Sequence, residues 1–208
     1  MVGIACLAVL MAGLVAYASG WRIGWAIAGV MGVEYFAASQ GVLKEWERLP
    51  PALMVMMLVV VALTVWLAFS GRLDHLPVAA IVLSQAFRLP LELVMHRAYV
   101  EGIMPKQMSY SGCNFDIVTG ATAIVVGAMA ARGTAPRWLL LVWNLMGTLL
   151  LLTIVAIAIA STPIFEFFGA EAHQLNTWVA DPPYVWLPGV LVPSALLGHL
   201  LLWRRLRG

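Results

Sequence analysis

Charged side chains are scarce in this sequence. Asp, Glu, Lys and Arg make up 11% of its 208 residues, whereas a soluble globular domain carries about 25%. Hydrophobic residues reach 62% and recur in segments of about 20 residues, which is typical of a polytopic helical membrane protein. The scarcity of charge therefore excludes an ordinary soluble domain and predicts the lipid bilayer as the partner of most of the chain.

Several functional signatures are also missing. No cluster of Lys and Arg is long enough to indicate nucleic-acid binding. The sequence has no HExxH motif and only two cysteines, so no cofactor is predicted from its motifs. Cys6 and Cys113 fall near the predicted outer ends of two helices. A disulfide between them is one alternative, and two free thiols are the favoured one.

Seven hydrophobic spans can be drawn along a single integral membrane domain, residues 1–208. They comprise approximately residues 2–19, 23–41, 52–69, 77–99, 114–131, 138–160 and 184–203. The first lacks a positively charged segment before its apolar run, so we interpret it as a retained helix rather than a cleaved signal peptide. The predicted fold class is all-α, a polytopic transmembrane bundle of about seven helices.

Two kinds of packing feature are predicted inside these spans. Pro90 removes the amide that would bond to the carbonyl of Ala86, so we expect a kink in the fourth span. Small residues also recur at helical spacing on two spans, where we expect close helix packing: Gly24, Ala28 and Gly32 on the second, and Gly120, Ala123 and Gly127 on the face of Asp116 on the fifth.

The distribution of Lys and Arg predicts the orientation of the bundle. With seven spans, one side receives a set of arginines with little acidic company: Arg22, Arg72, Arg132, Arg137, Arg204, Arg205 and Arg207. The other side mixes its basic residues with acidic ones. The arginine-rich side is therefore predicted to be cytoplasmic. This places the N-terminus outside, the C-terminus inside, and the long loops 97–113 and 161–183 outside.

Polar residues concentrate in the fourth span and the loop after it. At about 100° per residue, five of them fall within an arc of about 80° on one helix face. Hydrocarbon offers such groups no hydrogen-bond partners, so a polar stripe in a membrane helix indicates function or a buried network. The candidate solute or proton site comprises Glu34, Gln85, Arg88, Glu92, His96, Tyr99, Glu101, Gln107, Asn114 and Asp116.

Arg88 requires an anion if it is buried in the membrane. Glu92 follows it by one helical turn, and we expect Glu34 or Asp116 to be the second anion. Two interpretations stay open: a structural ion-pair network that locks the second, fourth and fifth helices, and a polar cavity in their outer half that binds a small solute or relays protons. Asn114 is expected to cap the fifth helix.

His96 follows Glu92 by one further turn and is the basis of a different hypothesis. The two residues would act as acid and base, or as metal ligands, in a membrane-embedded enzyme. Two ligands do not hold a metal ion, and a hydrogen-bonded histidine at the membrane interface is favoured over a metal or haem site. His199 is predicted near the inner end of the last helix, too far away to share a site with His96.

A set of short motifs in roughly the second half of the chain resembles a group of small uncharacterised bacterial inner-membrane proteins. The motifs are Arg88-Leu-Pro-Leu-Glu92, Glu101-Gly102, Gln107-Met108, Asn114-Phe115-Asp116, Thr119-Gly120, Trp186-Leu-Pro188, Val192-Pro193 and His199. The resemblance implies a multi-helix fold and a multi-pass location in the bacterial inner membrane. It implies no activity.

Three functions are compatible with the residues. The leading hypothesis is binding or transport of a small polar or anionic solute, or of protons, with Arg88 as the charge anchor. The first alternative is the membrane-embedded enzyme, metal-dependent or not, that would use Glu92 and His96. The second is an accessory subunit whose polar stripe docks a helix of another membrane protein or of a second copy of the chain.

Overall fold

The computed structural model describes residues 2–207, and all regular elements within that range are helical. The helices are α1 (Val2–Ser19), α2 (Trp21–Ser39), α3 (Ala52–Phe69), α4 (Val78–Ser84), α5 (Arg88–Val100), α6 (Ile117–Ala131), α7 (Arg137–Ala160) and α8 (Val192–Arg207). Because α4 and α5 continue one another, the eight α-helices form seven helical segments, which are numbered below like the predicted spans that they match. The all-α prediction is confirmed.

Five segments are long and apolar enough to cross a membrane: Val2–Ser19, Ala52–Phe69, Val78–Val100, Arg137–Ala160 and Leu187–Arg207. The helix α6 is apolar but has 15 residues, and α2, which contains Arg22 and Glu34, is not among the five. The second helix occupies Trp21–Ser39 rather than 23–41, and the larger boundary differences lie in the fifth and last spans. The fifth span begins at Ile117 rather than at residue 114, and the last helical segment occupies Leu187–Arg207 rather than 184–203.

The last span is the central helix of the bundle. In its most apolar 18-residue stretch, 72% of the residues are buried, whereas the shares for α1 and α3 are 22% and 28%. The helix α8 packs against α3, α4 and α7, and the short π-helix Leu187–Leu191 that precedes it packs against α1. Polar groups of the outer spans that point inward must therefore meet the last span or one another.

The fourth span is broken where Pro90 predicts a kink. Residues Gln85–Phe87 form a tighter 3₁₀ turn between α4 and α5, and Ala86 lies in this turn. Pro90 has no amide hydrogen to donate to the carbonyl of Ala86, so the regular helix is interrupted at this level. The break places Arg88 at the first residue of α5.

The two predicted small-residue faces have different outcomes. On α6, a Cβ atom added to Gly120 would lie 2.3 Å from the backbone nitrogen of Leu89, which confirms close packing against the fourth span. On α2, Gly32 has no atom within 4 Å of such a Cβ position and Ala28 is exposed. The predicted stripe on α2 is therefore wrong apart from Gly24, because this helix packs on α1 and turns much of its surface outward.

Candidate functional site

Arg88 and Asp116 form a buried, two-pronged ion pair between the fourth and fifth spans. The Arg88 Nε donates to Asp116 Oδ2 at 2.6 Å, and the Nη2 atom of the same guanidinium donates to Oδ1. The side chains are 1% and 6% exposed. Planar guanidinium and carboxylate groups match in this geometry, and each group supplies the hydrogen-bond partners that the other loses on burial.

Two local features bring this pair together. The 3₁₀ turn before α5 presents Arg88 at the level where α6 begins, and Asp116 immediately precedes α6. Gly120, one turn further along α6, allows the α6 backbone to approach Leu89 more closely than any residue with a side chain would permit. The sequence prediction that Asp116 points into the bundle along a tight seam agrees with this arrangement.

His199 and Asn144 extend the buried cluster into the last and sixth spans. The Nη1 atom of Arg88 lies 2.8 Å from His199 Nε2, and His199 Nδ1 lies 2.8 Å from Asn144 Oδ1. Because arginine can only donate, His199 Nε2 must accept, so the ring proton is on Nδ1 and is donated to Asn144. The Nδ2 group of Asn144 also donates to the His199 carbonyl at 3.2 Å.

The position of His199 corrects the sequence analysis. We expected this residue near the inner end of its helix, too far from His96 to share a site, and did not include it among the candidate residues; the structure places it against Arg88 with 1% exposure. Asn144, the one Asn, Gln, Asp or Glu residue of α7, is also absent from the predicted candidate residues. Both lie in apolar helices that contain few other hydrogen-bonding groups, and this isolation is the signal that could have identified them.

Glu92 is held by Asn114 rather than by Arg88. The Asn114 Nδ2 group donates to Glu92 Oε2 at 2.8 Å and to the Met108 carbonyl at 3.1 Å. The Asn114 Oδ1 atom accepts the amide of Asp116 at 3.0 Å, two residues along the chain. Asn114 therefore forms a turn before α6 instead of capping it, which corrects the predicted role; Asp116 is the residue at the helix boundary.

Glu34 is separate from the Arg88 cluster, which corrects one of the two anions proposed for it. Its side chain is 1% exposed, and neither carboxyl oxygen has a hydrogen-bond partner among residues 2–207. The carboxyl group packs against the last span at Gly189, where an added Cβ would lie 2.3 Å from Oε1. The cluster thus involves the fourth, fifth, sixth and seventh spans and not the second.

The outer part of the polar stripe is a second, half-exposed group. His96 Nδ1 lies 2.9 Å from Ser109 Oγ, and the imidazole stacks on the Tyr110 ring with centroids 4.2 Å apart. Tyr99 contacts the same ring at 5.9 Å. This arrangement is that of the hydrogen-bonded histidine favoured from the sequence. No hydrogen bond joins His96 to Glu92 in the described part of the chain.

The remaining candidate residues have other roles. Gln85 is buried against Gly198 of the last span. Glu101 is exposed and pairs with Arg97 at 2.6 Å. The Gln107 amide donates to Ser161 Oγ at 3.0 Å and to a loop carbonyl at 2.8 Å, so it joins the two long loops. These three residues do not contact the Arg88 cluster through hydrogen bonds.

A cavity of about 90 Å³ reaches the inner group of polar residues. Arg88, Glu92 and Asp116 line it together with side chains of α3, α7 and the last span, most of them apolar. His96 does not line it. The polar lining also includes Asn176, from the loop after α7. The structure therefore provides an apolar chamber in which three ionisable side chains meet.

The described residues contain neither a metal-ligand cluster nor a disulfide. Within residues 2–207, no group of three or more His, Cys, Asp and Glu side chains is close enough to hold a metal ion. Cys6 and Cys113 are both free and exposed. The predicted alternative of a disulfide between them is therefore wrong.

The fold and the site define an all-helical protein with membrane-type helices and a buried polar cluster at their centre. The chain belongs to the family described as Domain of unknown function (DUF8737), whose family model matches residues 49–207. The matched region contains Arg88, Glu92, Asp116, Asn144 and His199. Comparison of the chain with curated proteins and with solved structures finds no match.

Proposed function

We propose that this chain is an integral membrane protein that binds a small solute in the cavity beside Arg88, Glu92 and Asp116. The observation that carries the proposal is the shared lining of one apolar cavity by these three ionisable side chains. Convergent polar groups in an apolar pocket are the usual composition of a small-molecule site. Ionisable groups inside a membrane bundle also mark solute and proton pathways.

Charge balance assigns the contact with the solute to Glu92. Arg88 is already paired through two atoms with Asp116 and through a third with His199. Its charge is therefore shared inside the protein, which argues against Arg88 as the anchor for a free anion. Glu92 has one carboxylate oxygen bonded to Asn114, and its other oxygen has no donor within the described residues. A solute that donates hydrogen bonds fits this arrangement better than an anion.

The proposed orientation has the N-terminus outside and the C-terminus in the cytoplasm. Arg137, Arg204 and Arg205 gather at one end of the bundle, where they bond to the carbonyls of Leu206, Ala68 and Leu76. At the other end, Lys44, Arg48 and Arg97 pair with Asp181, Glu45 and Glu101. Asp74 pairs with Arg204 at the first end, but arginines outnumber acidic residues there, and this excess supports a cytoplasmic location for that side.

Thermal unfolding of the detergent-purified protein with two small probes tests the binding site. Ethanolamine and acetate are of similar size but carry opposite charges. We expect ethanolamine to raise the unfolding temperature of the wild type and not that of Glu92→Gln, with acetate inactive on both, because a ligand of the folded state stabilises it by mass action. Glu101→Gln, at an exposed glutamate outside the cavity, is the matched control and should respond like the wild type.

The proposal is contradicted if neither probe produces a shift that depends on Glu92. If acetate raises the unfolding temperature and this shift requires Arg88, the site would instead bind anions. Responses of equal size in Glu92→Gln and Glu101→Gln would show a general solvent effect and would also contradict binding in the cavity.

A further inference from the structure

Two oxygen atoms in side chains that line the cavity, Asn176 Oδ1 and Glu92 Oε1, lack hydrogen-bond donors within the described residues. Asn176 is 3% exposed, its Nδ2 group donates to the Ala158 carbonyl at 3.0 Å, and its Oδ1 atom has no partner in residues 2–207. Glu92 is 2% exposed and, within the same range, uses Oε2 alone. Buried acceptors are costly when unpaired. The cavity is therefore chemically matched to a group that donates hydrogen bonds.

The lining of this cavity indicates an opening at the side of the bundle, between α3 and α7. Met54 and Met57 of α3 line one wall, and Val155 and Ile159 of α7 line the other. Ile159 belongs to the lining and is also 39% exposed, which marks the edge of the opening. Both helices pack on α8 rather than closing over the cavity, and both belong to the segments that are apolar enough to span a membrane.

The volume limits what enters. About 90 Å³ corresponds to about three water molecules, which is enough for a polar head and its first carbons. A longer hydrocarbon chain has to leave through the opening between α3 and α7. Exposed apolar side chains such as Val55 and Leu152 flank that route, so a chain placed there would remain in contact with hydrocarbon.

We propose that the ligand is a single-chain amphiphile that enters from the bilayer between α3 and α7 and places a hydroxyl or amino head against Glu92. This inference rests on the solute site proposed above and specifies the class of its ligand. A carboxylate head of the same chain length is disfavoured, because it would bring an acceptor to a cavity that already has unpaired acceptors and would approach the Glu92 carboxyl group.

The test uses three photoreactive probes of equal chain length, a long-chain alcohol, the corresponding amine and the corresponding acid, with the full-length protein in lipid nanodiscs. Labelled residues are mapped by mass spectrometry. We expect the alcohol and the amine to label the cavity walls on α3 and α7, and the acid to label them about tenfold less, the ratio that one hydrogen bond to a charged group provides. Glu92→Gln should remove most of the preference for the amine.

Two tryptophan variants on α7 separate the cavity from the lipid-facing surface. Ala158 lines the cavity, whereas Ala156 is exposed on the same helix. Ala158→Trp should fill the cavity and abolish labelling of its walls, and Ala156→Trp should leave labelling unchanged. If Ala158→Trp does not fold, competition by the same alcohol without its photoreactive group gives the equivalent result in the wild type.

Each outcome decides the inference. Equal labelling by all three probes, or labelling that persists in Ala158→Trp or under competition, overturns it and indicates adventitious contact with the surface. A protein that responds to ethanolamine through Glu92 but is not labelled by the long-chain probes retains the solute site and loses the amphiphile. A phospholipid retained at the same walls in place of the single-chain probes would also overturn the proposal.

Discussion

The polar stripe of the fourth span contains two regions that hold their polar groups in different ways. In the inner region, Arg88 is 1% exposed, and its partners Asp116 and His199 are 28 and 111 positions away in the chain. In the outer region, His96 is half-buried and bonds to Ser109, only 13 positions away. One region joins four spans, and the other organises a single loop.

This difference predicts different energies for chemically similar changes. A buried charge that loses its partner keeps the full cost of its desolvation, whereas water can replace a partner at a half-exposed site. Substitutions at neighbouring positions of one helix face should therefore differ widely in their effect on the free energy of unfolding, from a large loss to almost none. The following variants test this comparison in the order of the expected effect.

Asp116→Asn should give the largest effect, a loss of about 3–5 kcal/mol in the free energy of unfolding, because it leaves Arg88 buried without an anion. The measurement is thermal or denaturant unfolding of the purified protein, followed by its helical circular dichroism. Glu101→Gln breaks the exposed pair with Arg97 and is the control, with an expected change below about 1 kcal/mol.

A double variant shows whether the cost comes from the unpaired charge. Arg88→Met combined with Asp116→Leu removes both charges and should recover much of the lost stability, since apolar pairs can replace buried ion pairs at little cost. A double variant as unstable as Asp116→Asn would mean that the loss of stability does not come from an unpaired buried charge. The explanation of the difference between the inner and outer regions would then be wrong.

Gly120→Ala should follow, with a loss of about 1–3 kcal/mol from overpacking. The added Cβ would lie 2.3 Å from the Leu89 nitrogen and 2.9 Å from its Cα, and backbone atoms cannot move aside as side chains can. Gly32→Ala is the matched control, because no atom lies within 4 Å of its Cβ position. A larger loss at Gly32 than at Gly120 would show that α2 has a packing partner that the isolated chain lacks.

The helices and the central role of Arg88 could be predicted from the sequence. Which helices supply the partners of Arg88 could not. The lengths of the hydrophobic segments predict the helices. Burying the Arg88 charge without a partner is costly, so the sequence also predicts that an anion lies beside it. The choice between Asp116 and Glu34 depends on which helices touch, and hydropathy does not encode helix neighbours. The depth of His199 was predicted wrongly because the last helical segment begins at the π-helix Leu187–Leu191, three residues after the predicted start.

His199→Leu should cost about 1–3 kcal/mol, less than loss of Asp116, because it removes one hydrogen bond donated by the Arg88 guanidinium and those to Asn144 but leaves the ion pair intact. The wild-type ring should be the Nδ1-protonated tautomer, which ¹⁵N NMR of labelled histidine distinguishes from the Nε2 form. A ring protonated on Nε2 would contradict the bond that Arg88 donates to this atom. Asn144→Leu should then have an effect of similar size, since it removes the acceptor of the Nδ1 proton.

His96→Ala should have the smallest effect, below about 1 kcal/mol, because water can replace its bond to Ser109 and the tyrosine contact is half-exposed. Labelling of the cavity by the amine probe should be unchanged, since His96 does not line the cavity. Metal analysis of the same purified variant beside the wild type tests the enzyme hypothesis directly. Stoichiometric metal that disappears with His96 would make the outer region the functional one and reverse the comparison between the two halves of the stripe.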